Sequence, residues 1–355
     1  MADIFFLYLI IGFKCVYLHN GKIAAKSSGT IDYYVNNHIM DKEFLKSEIL
    51  RLKKEKNAVI LGHYYQREEI QDLSDYIGDS LALAQEAQKC DNDIIVFCGV
   101  HFMAETAKIL NPTRKVLLPD MEASCSLAES CKGADLARFK SEHPDHMVIS
   151  YINCTAEVKA LSDLICTSGN AEKLVRSLPE EQKIIFAPDK NLGGYINSVT
   201  GRHMLLWDGV CMVHDAMRAE SILKLRAENP DALVVAHPEC NGAVLKVADF
   251  VGSTKAMLTF IERSDRKKFI VATETGIIYE MKKNNPDKEF LTIPASEEGC
   301  SCADCSYMKL NTLEKLYACL RDEKPEIIMD PDMIEKARTP IVRMLEMSRQ
   351  LGIIK

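Results

Sequence analysis

Three short apolar runs in the sequence end in polar side chains, and each is followed by a segment with the apolar spacing of a helix. The runs cover residues 59–61, 148–149 and 233–236, and the helical segments cover residues 81–89, 172–178 and 255–263. Further strand-like runs, rich in β-branched and aromatic side chains, lie at residues 94–98, 184–187 and 269–272. This alternation of strand and helix patterns predicts parallel sheets joined by right-handed crossover connections.

The alternation repeats, because one six-residue pattern occurs three times in the chain. Its copies are Asp75-Tyr-Ile-Gly-Asp-Ser80, Asp163-Leu-Ile-Cys-Thr-Ser168 and Asp249-Phe-Val-Gly-Ser-Thr254, and successive copies lie 88 and 86 residues apart. Seventeen residues before the last residue of each copy stand His63, Tyr151 and His237. A unit of this length exceeds a solenoid repeat of about 20–50 residues and suits a small duplicated domain. We therefore predict three homologous α/β/α domains, with small parallel sheets, arranged around a pseudo-threefold axis.

The repeat length and the loops rich in proline, glycine or charge give the predicted boundaries. We predict an N-terminal appendage outside the core at residues 1–39, α/β domains at residues 40–145, 146–230 and 231–311, and a C-terminal helical tail at residues 312–355. Apolar residues at helical spacing predict a helix over residues 41–56, at the entrance to the first domain.

The first residues of the chain resemble part of a targeting signal. Residues 4–13 form an apolar run like that of a signal peptide, but no Lys or Arg precedes them. The run is also too short to span a bilayer. We expect the functional chain to begin near Met40, without a membrane anchor.

Composition and net charge limit the kinds of molecule that the protein is expected to bind. The 355 residues are 47% hydrophobic and 27% charged, as in ordinary globular proteins, and they carry a net charge of −7. Duplex nucleic acid and anionic membrane surfaces require a basic face, so we expect neither as a partner. Thirteen cysteines, an odd number, lie spread along a chain long enough to fold without disulfides. This favours a reducing compartment, the cytoplasm, with metal ligands among buried thiols.

One cysteine closes each repeat, after the last strand-like segment. These are Cys125, Cys211 and Cys305. Three equivalent thiols near one axis can bind three irons of a [4Fe-4S] cluster and leave the fourth iron open. A three-cysteine zinc site with an open position is the competing metal site. Cys302 and Cys305 also form a C-x-x-C pair typical of a redox couple or half a zinc site, and spacing alone does not select the ligand among these two and Cys300.

Polar side chains at the ends of the predicted strands form a candidate substrate site. In open parallel sheets, ligands bind beyond the carboxyl ends of the strands. The side chains at such ends are His63, Tyr65, Tyr151, Asn153, His237 and Glu239. His237 and Glu239 together form a candidate acid/base pair, and His214, three residues after Cys211, is a candidate neighbour of the metal.

Hydroxyl groups stand where the helical segments begin. Ser80, Ser168 and Thr254 can cap these helices, bind a phosphate or carboxylate together with backbone N–H groups, or do both, because the two tasks use the same geometry. The aspartates that open the repeated pattern, Asp75, Asp163 and Asp249, are expected to fix the turn before each helix.

Several ordered motifs together resemble the quinolinate synthase (NadA) family. They are Gly62-His-Tyr-Tyr-Gln66, Gly78-Asp-Ser-Leu-Ala-Leu-Ala84, Phe102-Met-Ala-Glu-Thr-Ala-Lys-Ile-Leu-Asn-Pro112, Tyr151-Ile-Asn-Cys-Thr-Ala156, Pro188-Asp-Lys-Asn-Leu192 and His237-Pro-Glu-Cys240. The resemblance runs from about Met40 to the C-terminus. It implies a three-domain α/β enzyme with a central [4Fe-4S] cluster that condenses iminoaspartate (iminosuccinate) with dihydroxyacetone phosphate. The products would be quinolinate, phosphate and water, in NAD biosynthesis, and an aspartate-oxidising enzyme would supply the iminoaspartate.

The resemblance also assigns residues. The cluster ligands match Cys125, Cys211 and Cys305, the last because it precedes Ser306-Tyr307-Met308. Tyr65, Glu239 and His237 match catalytic positions. Substrate-binding positions match His63, Ser80, Tyr151, Asn153, Ser168, His237, Glu239 and Thr254. Within this set the general base is not decided by the sequence.

Two other functions are compatible with an open metal site. One is a hydro-lyase of the aconitase type, which also uses an open iron. The other is a non-catalytic iron–sulfur or zinc protein that senses redox state or metal.

Overall fold

The computed structural model describes residues 9–10, 15–19, 22–25, 41–293 and 303–354. The chain divides into two compact units, Met1–Ser47 and Glu48–Lys355. The first contains an antiparallel sheet of three short strands, in the order β1 (Leu9–Ile10), β2 (Cys15–His19) and β3 (Lys22–Ala25). Most of the predicted appendage lies outside the described residues. Helix α1 (Lys42–Glu55) confirms the helix expected over residues 41–56.

Three four-stranded parallel sheets organise the second unit. The first sheet contains β4 (Ala58–His63), β5 (Tyr76–Gly78), β6 (Ile94–Cys98) and β7 (Lys115–Leu117). The second contains β8 (Met147–Tyr151), β9 (Leu164–Cys166), β10 (Ile184–Ala187) and β11 (Leu205–Leu206). The third contains β12 (Leu233–Ala236), β13 (Phe250–Val251), β14 (Lys268–Ala272) and β15 (Glu289–Thr292). In each sheet the order is second, first, third, fourth strand, which confirms the predicted triplicated α/β fold.

Helices connect the strands and cover the sheets. Those of the first repeat are α2 (Glu68–Gln71), α3 (Ser80–Lys89), α4 (His101–Leu110), α5 (Ser126–Glu129) and α6 (Gly133–Glu142). Those of the second are α7 (Ala156–Leu161), α8 (Ala171–Arg176), α9 (Lys190–Thr200), α10 (Met212–Asp215) and α11 (Ala219–Glu228). Those of the third are α12 (Gly242–Val247), α13 (Thr254–Arg263) and α14 (Ile277–Asn284). Within the described ranges, no helix combines the length and apolarity needed to cross a bilayer.

The C-terminal tail is helical, as expected, and consists of α15 (Leu313–Asp322) and α16 (Pro331–Gln350). Helix α16 packs against α7, α8 and β9 of the second repeat and against α4 of the first. The tail therefore links two repeats, while the domain boundaries given above stay a prediction.

The central strands are buried on both faces, which explains their sequence pattern. Every residue of β4, β6 and β10 is buried, because helices cover both faces of a parallel sheet. Such strands read as continuous apolar runs rather than as alternating ones. The sequence did not predict β5, β9 and β13 as strands. Each has only two or three residues, which is too short for a recognisable apolar run.

The aspartate that opens each repeated pattern ties the second strand of its sheet to the first. The Oδ2 atoms of Asp75, Asp163 and Asp249 accept hydrogen bonds of 2.8 Å from the backbone N–H groups of Ile60, Val148 and Val234. The backbone N–H of each aspartate donates in return to the carbonyl of the same partner. These aspartates therefore hold the start of the second strand against the first strand. The prediction that they fix the turn before the helix is corrected accordingly.

We expect Asp163→Ala to lower the free energy of unfolding by about 1–3 kcal/mol, because the buried N–H of Val148 loses its acceptor. Asp163→Asn keeps an oxygen at that position and should lose less than half as much. Urea unfolding of both variants beside the parent measures the difference. Equal losses for alanine and asparagine would assign the effect to charge, through the Lys140 ion pair, instead of to the backbone hydrogen bond.

Candidate functional site

Strand ends from all three sheets line one cavity. The space between its walls and its open mouth is about 710 Å³. Its walls contain every residue that the sequence predicted for the site: His63, Tyr65, Ser80, Cys125, Tyr151, Asn153, Ser168, Cys211, His237, Glu239, Thr254 and Cys305. Cys300 and Cys302 lie outside the described residues. The structure thus brings the predicted set together, and the role of each member stays a prediction.

The strand order explains why these side chains meet. His63 is the last residue of β4, Tyr151 is the last residue of β8, and His237 directly follows β12. These three strands lie between the second and third strands of their sheets. The chain leaves the first strand towards one edge of the sheet and leaves the third strand towards the other edge, which opens a crevice between their carboxyl ends.

His63 and His237 occupy equivalent positions and make equivalent hydrogen bonds. The Nδ1 atom of His63 accepts from the N–H of Tyr65 at 3.1 Å, and that of His237 accepts from the N–H of Glu239 at 3.4 Å. Burial lowers the pKa of each imidazole to about 3. Both rings are therefore neutral near pH 7, with the proton on Nε2. The Nε2 of His237 lies 3.2 Å from the hydroxyl of Ser168.

Glu239 lies at the centre of the polar groups in the cavity and is 3% exposed. The phenol of Tyr151 donates to its Oε1, and Nδ1 of His214 lies 3.1 Å from its Oε2. Burial by itself would raise the pKa of Glu239, but the neighbouring His214 and His237 and the hydrogen bonds hold that pKa below its ordinary value. The side chain is a carboxylate near pH 7 and can accept a proton.

The two tyrosines in the cavity carry protons near pH 7. Burial, together with the charge of Glu239, raises the pKa values of Tyr65 and Tyr151 well above the ordinary value. The hydroxyl of Tyr65 lies 2.8 Å from Oγ1 of Thr273 and 3.3 Å from Oγ1 of Thr254. Both phenols can therefore act as hydrogen-bond donors to a bound molecule or to Glu239.

Ser80 and Thr254 stand at the starts of helices, but neither residue caps its helix. The cap of α3 is Asp79, whose side chain accepts from the N–H of Ala82, and the cap of α13 is Ser253, which accepts from the N–H of Ala256. Ser80 and Thr254 are the first helical residues that follow these caps. The capping role considered for them from the sequence is wrong, because the preceding residue fills it. Their side chains line the cavity instead.

Two polar atoms in the cavity wall lack a protein partner. The Oδ1 atom of Asn153 and the Oγ1 atom of Thr167 are buried and make no hydrogen bond. Nearly all buried polar groups in proteins are hydrogen-bonded, so an exception next to a cavity calls for a specific reason. A polar ligand in the cavity would provide the missing partner.

The three cysteines occupy the same local position. Cys125 and Cys211 directly precede α5 and α10, and Cys305 precedes a 3₁₀ turn at Met308–Leu310. Burial raises the pKa of the Cys125 thiol to about 12 and also raises the pKa values of the other two. The backbone N–H three residues further on opposes this rise in each case, at Ala128, His214 and Met308. These thiols would become thiolates when a metal cation binds.

The spacing of possible ligand atoms defines what the cavity can hold. Among the described residues, Cys211, His214 and Glu239 place one ligand atom each within 4.8 Å of the others. The ten cysteines whose side chains are described are all free thiols. The cavity is therefore a candidate metal site, and the thiols of Cys125 and Cys305 also lie in its walls.

The sequence pattern did not identify Thr273, behind the cavity wall, or Glu274, which lines the cavity, and it indicated too small a role for His214. Thr273 contacts both Tyr65 and His214, and the carboxylate of Glu274 accepts from the N–H of Cys305 at 3.1 Å and pairs with Lys309 at 3.1 Å. His214 contacts Cys211 as well as Glu239. Thr273 and Glu274 directly follow β14. Ligands bind beyond the carboxyl ends of parallel strands. Applying this rule to the third strand of each sheet, as well as to the first, would have identified both residues.

Comparison with known proteins agrees with this geometry. A family model described as quinolinate synthetase A protein (NadA) matches residues 47–346. A protein of Chloroherpeton thalassium named quinolinate synthase is 58% identical over 305 residues, which cover 86% of this chain and 95% of that protein. Proteins of the same name from Microcystis aeruginosa and Synechocystis sp. are each 57% identical over 304 residues, with the same coverage. The chain therefore belongs to the quinolinate synthetase A family.

Proposed function

We propose that the protein is a quinolinate synthase that condenses iminoaspartate with dihydroxyacetone phosphate and releases quinolinate, phosphate and water for NAD biosynthesis. A [4Fe-4S] cluster held by Cys125, Cys211 and Cys305 would assist this reaction. The observation that carries the proposal is the single cavity in which these thiols, from three repeats, face Glu239 and two phenols. Because both substrates are free metabolites, we infer that the enzyme works in the cytoplasm and that an aspartate-oxidising enzyme supplies the iminoaspartate.

The number and equivalence of the thiols support a cluster over a single zinc ion. One free thiol from each repeat lines the same cavity, and three equivalent cysteines can bind three irons of a cubane. Membership of the quinolinate synthetase A family also favours metal binding by these cysteines. When bound, the cluster supplies an iron without a cysteine ligand, which acts as a Lewis acid toward oxygen atoms of the substrate.

The polar wall of the cavity suits two anionic substrates. Thr254 opens the ten-residue helix α13, so that its hydroxyl and the backbone N–H groups there can bind a phosphate or carboxylate. Ser168 stands beside the N–H of the neutral His237 imidazole. Asn153 offers an amide with an unpaired oxygen. We assign these residues, together with His63, Ser80 and Tyr151, to substrate binding.

Glu239 is the best candidate for the general base. The imidazole of His237 is neutral, its Nδ1 lone pair accepts a backbone N–H, and its Nε2 bears the proton. Neither nitrogen is free to remove a proton from the substrate. The Glu239 carboxylate is ionised and lies in the same cavity, and the protonated phenol of Tyr65 can return a proton during imine formation and dehydration.

An anaerobic assay tests the proposal. Protein purified without oxygen is incubated with iminoaspartate, generated in place from aspartate, and dihydroxyacetone phosphate. We expect quinolinate and phosphate to appear in equal amounts, and neither to form when one substrate is omitted. Citrate or another hydroxy acid offered alone should not be dehydrated. Dehydration of such an acid without quinolinate formation would favour the aconitase-type activity and contradict the proposal.

A further inference from the structure

Thr273 lies behind the cavity wall, where it joins two groups of the site. It directly follows β14 and is 1% exposed. Its Oγ1 lies 2.8 Å from the phenol oxygen of Tyr65 and 2.9 Å from Nε2 of His214. The other nitrogen of His214, Nδ1, lies 3.1 Å from the Glu239 carboxylate. A single hydroxyl thus connects the first repeat to the acid/base group of the third.

The four groups form one continuous row of hydrogen bonds. A carboxylate can only accept, so Nδ1 of His214 donates to Glu239. Nε2 of His214 contacts the hydroxyl of Thr273, and the same hydroxyl can accept the O–H of Tyr65. Thr273 therefore holds Tyr65 and His214 in fixed positions relative to each other.

Binding of substrate makes this contact more important for Tyr65. The other hydroxyl near the phenol belongs to Thr254, at 3.3 Å, and the proposed function assigns Thr254 to the substrate. Thr273 does not line the cavity, so a substrate leaves its hydroxyl in place. The hydroxyl of Thr273 then remains as a hydrogen-bond partner that orients the phenol of Tyr65.

We propose that Thr273 is a positioning residue of the quinolinate synthase reaction. Its hydroxyl, itself in contact with Nε2 of His214, orients the phenol of Tyr65. This inference rests on the proposed function. It predicts that loss of the hydroxyl impairs turnover and leaves substrate affinity largely intact, because Thr273 itself touches no substrate.

The test compares Thr273→Val, which has nearly the same shape, with Thr273→Ser, which keeps the hydroxyl. We expect valine to lower kcat by about 10- to 100-fold with KM changed less than about 3-fold, as for a misplaced catalytic group. Serine should restore kcat to within about 3-fold of the parent. Thr106→Val is the matched control, because Thr106 is also buried but does not line the cavity, and its hydroxyl donates to the carbonyl of Phe102 in its own helix. It should keep the kcat of the parent.

A comparison made in Tyr65→Phe protein distinguishes positioning of the phenol from a purely structural role of Thr273. In Tyr65→Phe the phenol is absent, so adding Thr273→Val should reduce the residual kcat by less than about 3-fold if Thr273 acts through Tyr65. Iron content and thermal melting are measured for each variant, so that loss of metal or of folding is not mistaken for loss of positioning. If valine does not fold, Thr273→Ala takes its place.

Three outcomes would overturn the inference: a kcat of the parent in Thr273→Val, no rescue by serine, or the same fold loss with and without the Tyr65 phenol. A parent protein that makes no quinolinate would instead overturn the proposed function. The two failures are thus distinguished in the same experiment.

Discussion

Glu239→Gln should lower the kcat for quinolinate formation by about 10²- to 10⁴-fold, the range expected when a general base is lost. Glutamine has nearly the same shape as glutamate but cannot take up a proton, and it removes the charge to which Tyr151 and His214 are bound. The iron content and the visible absorption of the anaerobic protein should not change, because Glu239 is not one of the residues assigned to hold the cluster. Steady-state assays with parallel iron analysis measure both quantities.

The matched control is Glu280→Gln, a glutamate of helix α14 that does not line the cavity. It should retain the kcat of the parent. Unchanged turnover in Glu239→Gln would exclude this residue as the base. If the protein merely sensed metal or redox state, the same substitution would leave its measured response intact, and the parent would show no turnover from the start.

The three cysteine substitutions should have the largest effects of all. Cys125→Ala, Cys211→Ala and Cys305→Ala each remove one donor from a set of three, and we expect iron to fall from about four per chain to less than about one. Quinolinate formation should be lost with it. Because each thiol comes from a different repeat but the same local position, the three variants should resemble one another closely.

Cys166→Ala and Cys319→Ala serve as controls, since both thiols are fully buried and lie away from the cavity. They should keep the iron and colour of the parent and lose only stability. Retention of about four irons in any one of the three cavity variants would remove that cysteine from the ligand set. For Cys305, such a result would shift attention to Cys300 and Cys302.

Much of the fold could be read from the sequence because the repeats made each pattern visible three times. Strands β6, β10 and β12 have the predicted bounds, since buried strands of a parallel sheet read as apolar runs with clear ends. The same periodicity aligned His63 with His237 and the three closing thiols with one another. Equivalent positions in equivalent domains meet at one place, which is why the whole predicted set lines a single cavity.

Other features left no such pattern. Strand β13 is two residues long and is held by the backbone contacts of Asp249, which a sequence does not reveal. The caps Asp79 and Ser253 stand one residue before the hydroxyls of the cavity, so residue type alone could not separate capping from ligand binding. Thr273 occurs in one repeat only, because Gly99 and Pro188 follow the corresponding strands, and its contacts depend on tertiary structure.

The placement of the thiols on three successive repeats affects how the donor set is assembled. Cys125, Cys211 and Cys305 are separated by 86 and 94 residues along the chain. The proposed donor set would therefore be complete only when all three repeats have folded against one another. A fragment that lacks one of the repeats should bind less iron than the whole chain.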